Sequence, residues 1–466
     1  MSPTETHINI FSLNCWGLKY VSRHRSERIQ AITRYLESSQ FDIIALQELW
    51  VYADYDIVRS RLSKCLPFSK FFYSGALGAG LAIFSRFPIV AATIHPYSLN
   101  GSPLDVIAGD WFVGKAAASV LISHPTLGQV QVFNTHLFAQ GGEGGPEHHR
   151  AHRLVNAWEF AKLAKQAAEL GRYVIAAGDF NSIPTTLPMT VIRNHASLSD
   201  AWEATHPPSS FTSATSPSMP SPSQAIEMFG VTADSPLNTY SAGKQLDVHA
   251  RAWQGKRLDY ILFRDPAPPL APAASLPTLV ATNARVLLTD PVPGSPFSYS
   301  DHFGVSATLQ IKYPGHGRDP TMSNIELRTA QKQPQSTIPA LAAPGPAQSS
   351  TMLAAADARA VIGALTTCYR YSRTRAKRHL SLFGLSVGAL IFLVATATLF
   401  PTVATPFIVL GGAATTWLGT TMLYAGFVYG RWEANALMNV IEELELYQKS
   451  VEVAASTGEL EASIKP

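Results

Sequence analysis

Between Leu380 and Gly430 the chain carries not one aspartate, glutamate, lysine or arginine. That absence argues against two buried helices of a soluble core, which usually keep some charge. Two apolar blocks, 380–400 and 406–429, flank the short turn PTVAT. Each is long enough to cross a ~30 Å hydrocarbon core at ~1.5 Å per residue. Cysteine is scarce as well: Cys15, Cys65 and Cys368 show no paired spacing, which argues against a disulfide framework and favours a reducing compartment. Charged residues make up only 15% and the net charge is +3, too little for a general nucleic-acid binder. The opening MSPTETHINIFSLN has neither a basic n-region nor an apolar h-region, so no secretory signal is expected.

The charge that is present is unevenly placed. Arg370, Arg373, Arg375, Lys377 and Arg378 crowd ahead of the first apolar block, and Arg431 follows the second. The positive-inside bias then puts both ends of a two-span hairpin, and everything before it, in the cytosol. The basic run suits anionic headgroups, at about 1 kcal/mol per residue near the surface. Gly384 and Gly388 form a GxxxG that is expected to pack the two spans.

Residues 8–310 alternate strand-like and helical runs, within a catalytic domain expected over 7–312. Ile8–Asn14, Phe41–Leu46, Leu81–Ser85 and Arg172–Ala177 read as strands, and Ala116–Ser123 with Val130–Thr135 as a hairpin. Glu27–Ser38 and Glu147–Leu170 read as helices, the second ended by Gly171. Many strands with few helices predict an α/β fold: a four-layer sandwich of two packed mixed β-sheets flanked by helices, followed by the C-terminal two-helix hairpin. Beyond it the composition divides the chain into a disordered linker at 313–352, a basic juxtamembrane helix at 353–379, the two spans, and an acidic helix and tail at 431–466. The Pro/Ser/Thr-rich stretch His206–Ser223 is expected to loop out of the domain.

Five short polar motifs sit at the ends of the apolar runs. They are Gln47-Glu48, Asn134-Thr135-His136, Gly178-Asp179-Phe180-Asn181, Arg257-Leu258-Asp259-Tyr260 and Ser300-Asp301-His302. A carboxylate such as Glu48 where a strand emerges suits Mg²⁺, with Asn14 near enough to add a neutral oxygen. Gly178 would permit a sharp turn, and the i, i+2 spacing points Asp179 and Asn181 to one side, able to orient a water and donate to a phosphoryl oxygen. His302, beside Asp301, suits a general base if a carboxylate such as Asp259 fixes its tautomer, which leaves His136 for the non-bridging phosphate oxygens. His148, His149 and His152 lack clear ligand partners and read as a solvated or substrate-facing helix start.

These motifs in this order, with FSLNCWGL near the N-terminus, resemble the endonuclease/exonuclease/phosphatase superfamily. Within it the chain is most similar to the neutral sphingomyelinases and the inositol phosphosphingolipid phospholipases C, over about residues 7–312. LQELWVYADYDIV, AHRLVNAWEFAKL and the C-terminal hairpin carry that narrower likeness. The resemblance implies a Mg²⁺-dependent phosphodiesterase that cleaves a sphingolipid to ceramide and a phosphorylated headgroup. It implies Glu48, with Asn14, at the metal; Asp179 and Asn181 positioning substrate and water; His136 at the transition state; and His302 as proton acceptor, held by Asp259 and flanked by Asp301. Asp110 and Lys115, five residues apart, resemble a regulatory element that responds to anionic phospholipid. The endoplasmic reticulum and the mitochondrial outer membrane are the expected membranes. Choline and inositol headgroups both stay open. The rivals are a nuclease or phosphoinositide phosphatase of the same superfamily, and an inactive membrane scaffold.

Overall fold

The computed structural model describes residues 5–106, 109–142, 144–207, 220–267, 276–313, 352–399 and 402–464. The expected linker falls almost wholly outside these residues, as does most of the His206–Ser223 stretch. Twelve strands among the described residues form two six-stranded sheets. The first runs in the order β11 (Thr278–Leu287), β12 (Gly304–Lys312), β1 (His7–Asn14), β2 (Ile43–Gln47), β4 (Leu81–Ser85), β3 (Phe68–Phe72). The second runs β5 (Ile89–Pro96), β6 (Ala116–His124), β7 (Gly128–His136), β8 (Tyr173–Asp179), β10 (Asp259–Arg264), β9 (Ser199–Asp200).

Side chains alternate along β1, so its two faces feed two cores. Ile8 and Ile10 point between the sheets, where they join Ile43, Ala118, Val132 and Ile175. Phe11 and Leu13 point outward, onto Ile29, Ile32 and Leu36 of α1 (Arg25–Glu37) and Tyr55 and Val58 of α2 (Tyr52–Leu62). Strands covered on both faces read as continuous apolar runs, which is why IFSL and IIAL carry no strict alternation. On the far side α3 (Glu147–Glu169) lays Leu154, Val155 and Trp158 over the second sheet. The four expected layers are present.

The C-terminal helices do not form a separate unit. The incoming helix Ala355–Thr396 and the outgoing helix Gly430–Ile464 bury Val361, Leu365, Cys368, Leu437 and Leu444 in the same core as α3. This corrects the reading of His152 as solvated or substrate-facing, while His148 and His149 stay half-buried along a surface cavity. His152 is buried, and its Nε2 lies 3.0 Å from Glu433 Oε1, while Arg375 Nη2 donates to Glu433 Oε2 at 2.5 Å. His148 stacks on Tyr371. Tyr429 Oη donates to Gly101 O, and Trp432 Nε1 donates to Ser98 O. All three cysteines are free.

Beyond this docked region the helices present Leu385, Phe392, Phe407 and Trp417 outward, each more than 60% exposed. The structure therefore has two helices long and apolar enough to cross a membrane. They do not meet through Gly384 and Gly388, which face open space. The close approach falls at Gly419, whose missing Cβ would lie 3.2 Å from Ser386 Cβ, and at Gly426, 3.0 Å from Ala376 O. A π-helical segment, Tyr424–Tyr429, widens the turn there.

Burial pushes the Glu433 carboxyl up, but its bonds to His152 and Arg375 outweigh that and hold it below the ordinary carboxylate value. A depressed pKa contributes stability at neutral pH that is lost on acidification through it. Removing one partner of such a buried pair costs about 3–5 kcal/mol. Glu433→Gln should therefore lower the Tm of the full chain in detergent at pH 7, and an unchanged Tm would remove the network as a structural support.

Candidate active site

Strand register delivers the five motifs to one edge. β1 and β2 are parallel, with Asn14 opposite Gln47; β7 and β8 are parallel, with His136 opposite Asp179. β10 runs antiparallel to β8 and starts with Asp259 opposite Asp179, and His302 lies just ahead of β12, antiparallel to β1. Parallel strands thus end where their antiparallel neighbours begin. Buried amides then tie the sheets together. Gln47 Nε2 donates to Asn134 Oδ1 at 2.7 Å, and Asn134 Nδ2 donates to the carbonyls of Leu46 and Ala82, both at 2.9 Å. Satisfied polar groups in a dry core specify one alignment of the sheets.

The side chains converge on the Asp179 carboxylate. Its Oδ2 accepts from Asn14 Nδ2 at 3.0 Å and lies 3.4 Å from His136 Nε2 and 3.9 Å from His302 Nε2. Its Oδ1 accepts from the Asn181 backbone N–H at 2.9 Å. Asn14 Nδ2 also donates to Glu48 Oε1 at 3.1 Å, while its Oδ1 is taken by Trp16 N. Asn14 therefore turns its amide nitrogen, rather than its oxygen, to the carboxylates. His302 Nδ1 sits 2.8 Å from Asp259 Oδ2. Asp301 lines the cavity beside His302 and Asn181.

Backbone strain marks the same positions. Glu48 and Asn181 have φ of 53° and 46°, in the left-handed region that non-glycine residues avoid. Gly17 donates to Glu48 O, and a Cβ at Gly17 would lie 2.4 Å from that oxygen. Gly178 serves close approach, not the sharp turn expected of it. It stays within β8, and a Cβ there would lie 2.1 Å from Thr135 O.

Lys115 is 3% exposed and belongs to the site itself: its Nζ is 3.1 Å from His136 Nε2 and 3.2 Å from Asp110 Oδ1, and it donates to Leu137 O. The motif reading missed two arginines. Arg153, on α3, donates to Asn181 O and Phe138 O, and Arg28, on α1, donates to Cys15 O and Trp16 O. Both hold site loops by their carbonyls. A lone arginine in a helical pattern gives no sign of that task.

The electrostatics leave room for a cation. Burial, aided by Asp301, raises the Glu48 carboxyl to about 7; burial and Asp259 raise Asp179 to about 6. Burial, with Lys115 and His302 nearby, pushes His136 well below the ordinary imidazole value. Burial works the same way on His302, but Asp259, Asp179 and Asp301 outweigh it and hold that imidazole well above its ordinary value. Asp179, Asp259 and His302 bring ligand atoms within 4.8 Å of one another. The carboxylate oxygens of Glu48 and Asp179, joined through Asn14, are the hard donors that Mg²⁺ or a similar divalent ion takes, whereas His302 offers nitrogen. A carboxylate-held imidazole beside them can move a proton.

Comparison with known proteins identifies the family. Over 314 residues the chain is 38% identical to a Schizosaccharomyces pombe protein named inositol phosphosphingolipids phospholipase C, covering 66% of this chain and 69% of that one. A Saccharomyces cerevisiae protein of the same name is 33% identical over 348 residues, covering 70% of this chain and 69% of its own length. Rattus norvegicus sphingomyelin phosphodiesterase 2 is 30% identical over 317 residues, 67% of each chain. Residues 11–302, which contain every motif converging on Asp179, match the model of one family. The chain belongs to the endonuclease/exonuclease/phosphatase family.

Proposed function

We propose that this protein is a membrane-anchored, phospholipase C-type hydrolase that cleaves the phosphodiester of a sphingolipid, releasing ceramide and a phosphorylated headgroup. The observation that carries the reading is the His302–Asp259 pair facing the Asp179–Asn181 loop across one cavity, in a chain whose relatives are named for sphingolipid phosphodiester cleavage. Asp259 accepts from Nδ1 of His302 and so fixes which nitrogen faces Asp179 and the reacting water. Nε2 of His302 takes the proton as the water attacks phosphorus in line with the leaving ceramide oxygen. Asn181 and His136 border the position of the phosphoryl oxygens, and Lys115 supplies positive charge from behind His136. Glu48 would hold Mg²⁺, with Asn14 bridging that carboxylate to Asp179. Bound there, Mg²⁺ would polarise the phosphoryl oxygens and offset the carboxylate charge that keeps His302 protonated.

The substrate class also fits the two apolar helices. Spans over 380–400 and 406–429 would hold the catalytic domain on the cytosolic face of a bilayer, where substrate is concentrated. The basic residues ahead of the first span are where anionic phospholipid would act, and the buried Asp110–Lys115 pair is what it would rearrange.

Three measurements test the reading. His302→Ala should lower kcat about 10²–10⁴-fold on sphingolipid in mixed micelles with Mg²⁺. Mass analysis of the wild-type reaction should find the phosphorylated headgroup; release of inorganic phosphate, or plasmid nicking that outpaces lipid cleavage, would displace it with the rival activities. Titration calorimetry of the full chain with Mg²⁺ should show a binding heat that Glu48→Gln removes, and equal heats would move the cation elsewhere.

A further inference from the structure

The cavity in front of His302 extends well past the reacting groups. It has a volume of about 410 Å³, within the usual range for a small-molecule site. Its inner end is Asn181, Asp301 and His302; its outer wall is Asp234, Ser241, Lys244, Asp247 and Lys256, faced by the backbone of Gly141 and Gly142. Ala233 connects the two ends, because it bridges to His302 on one side and to Lys256 on the other. Two inter-strand spacings separate those backbones, so Lys256 stands about 10 Å from the proton-accepting residue. That distance leaves room for a phosphate at His302 and its headgroup in front of Lys256.

Lys256 is only 7% exposed, and a lysine that deep is held by partners. Its Nζ pairs with Asp247 Oδ2 and lies 3.8 Å from Asp234 Oδ2. Those carboxylates are themselves 44% and 34% exposed. The ion pair is therefore dry at the ammonium and wet at the carboxylates. Asp247 is also fixed by its backbone, since its Oδ1 caps Val248–Trp253 by accepting from Ala250 N. The edge of the Gly141–Gly142 loop passes over the pair: a Cβ at Gly142 would lie 3.7 Å from both Asp247 Oδ2 and Lys256 Nζ. Donors and acceptors alternate along this wall, as a ring of hydroxyl groups requires.

A quaternary ammonium needs something else. It donates no hydrogen bond, and proteins take it against aromatic faces. Among the described residues the lining holds no Phe, Tyr or Trp, and its two lysines stand among three aspartates, so it offers paired donors and acceptors rather than an aromatic face. We propose that Lys256, with Asp247 and Asp234, forms a headgroup subsite that selects a polyhydroxylated phosphate ester over a quaternary-ammonium one. This rests on the sphingolipid-cleaving reading and adds to it the residues that choose the headgroup.

The experiment gives the full-length protein equal amounts of an inositol phosphosphingolipid and sphingomyelin in one micelle with Mg²⁺, and reads the ratio of phosphorylated headgroups by mass. The wild-type ratio should favour the inositol product at least about tenfold, and Lys256→Met should cut that preference about tenfold, because a site built to hydrogen-bond hydroxyls loses its discrimination when a partner is removed. A measurement on the wild type stands even if that variant fails to fold. Inositol 1-phosphate should inhibit cleavage at about one tenth the concentration of phosphocholine. Equal cleavage of both lipids, equal inhibition, or an unchanged ratio in folded Lys256→Met overturns the subsite and leaves the sphingolipid reading intact. A wild type that cleaves neither lipid overturns that reading, and the subsite with it.

Discussion

One carboxylate oxygen, Asp179 Oδ2, organises the candidate site of this molecule. Side chains from β1, from the end of β7 and from the segment before β12 all reach it, so three parts of the chain far apart in sequence must fold correctly before the site exists. Burying a carboxylate among such neighbours is costly unless each bond is made. The protein meets that cost with rigid parts: strands covered on both faces, amides that tie sheet to sheet, and arginines clamping the loop carbonyls. Left-handed backbone at Glu48 and Asn181 is the residual strain, and it falls where geometry matters most.

Much of this was legible in the sequence, for a definite reason. A strand buried on both faces is a run of apolar residues, and the polar residue that ends it must stand at the sheet edge, so QE, NTH, GDFN, RLDY and SDH announce themselves. The hairpin was readable from its missing charge. What escaped were groups whose role depends on another segment. Lys115 was read as half of a regulatory pair with Asp110, and nothing local places it against His136. Arg28, Arg153 and Lys256 sit in amphipathic or loop contexts where a basic residue is ordinarily solvated. His152 was taken for a solvated or substrate-facing position because its partners, Glu433 and Arg375, lie more than two hundred residues away. Gly384 and Gly388 had the right spacing for helix packing, but the helices approach through Ser386 and glycines of the second span instead. Spacing within one helix cannot say which face its neighbour chooses.

The composition divided the chain into a catalytic domain, a disordered linker, a juxtamembrane helix, two spans and a final helix. The packing adds how the helices on either side of the spans sit on the domain. Leu353 through Cys368 and Leu437 through Leu444 share the core of α3, and the bonds from Tyr429 and Trp432 reach the carbonyls of Gly101 and Ser98, on the stretch that leads to Asp110 and Lys115. The apolar helices are thus a continuation of the domain that carries the site.

That continuity changes how such a protein would encounter its target. A head on a slack tether sweeps a hemisphere and meets each lipid by rotating toward it, whereas a head seated on its own two helical legs keeps a set height and tilt. Its search becomes planar, and the pace of repeated turnover passes from tumbling of the protein to lateral drift of molecules beneath it.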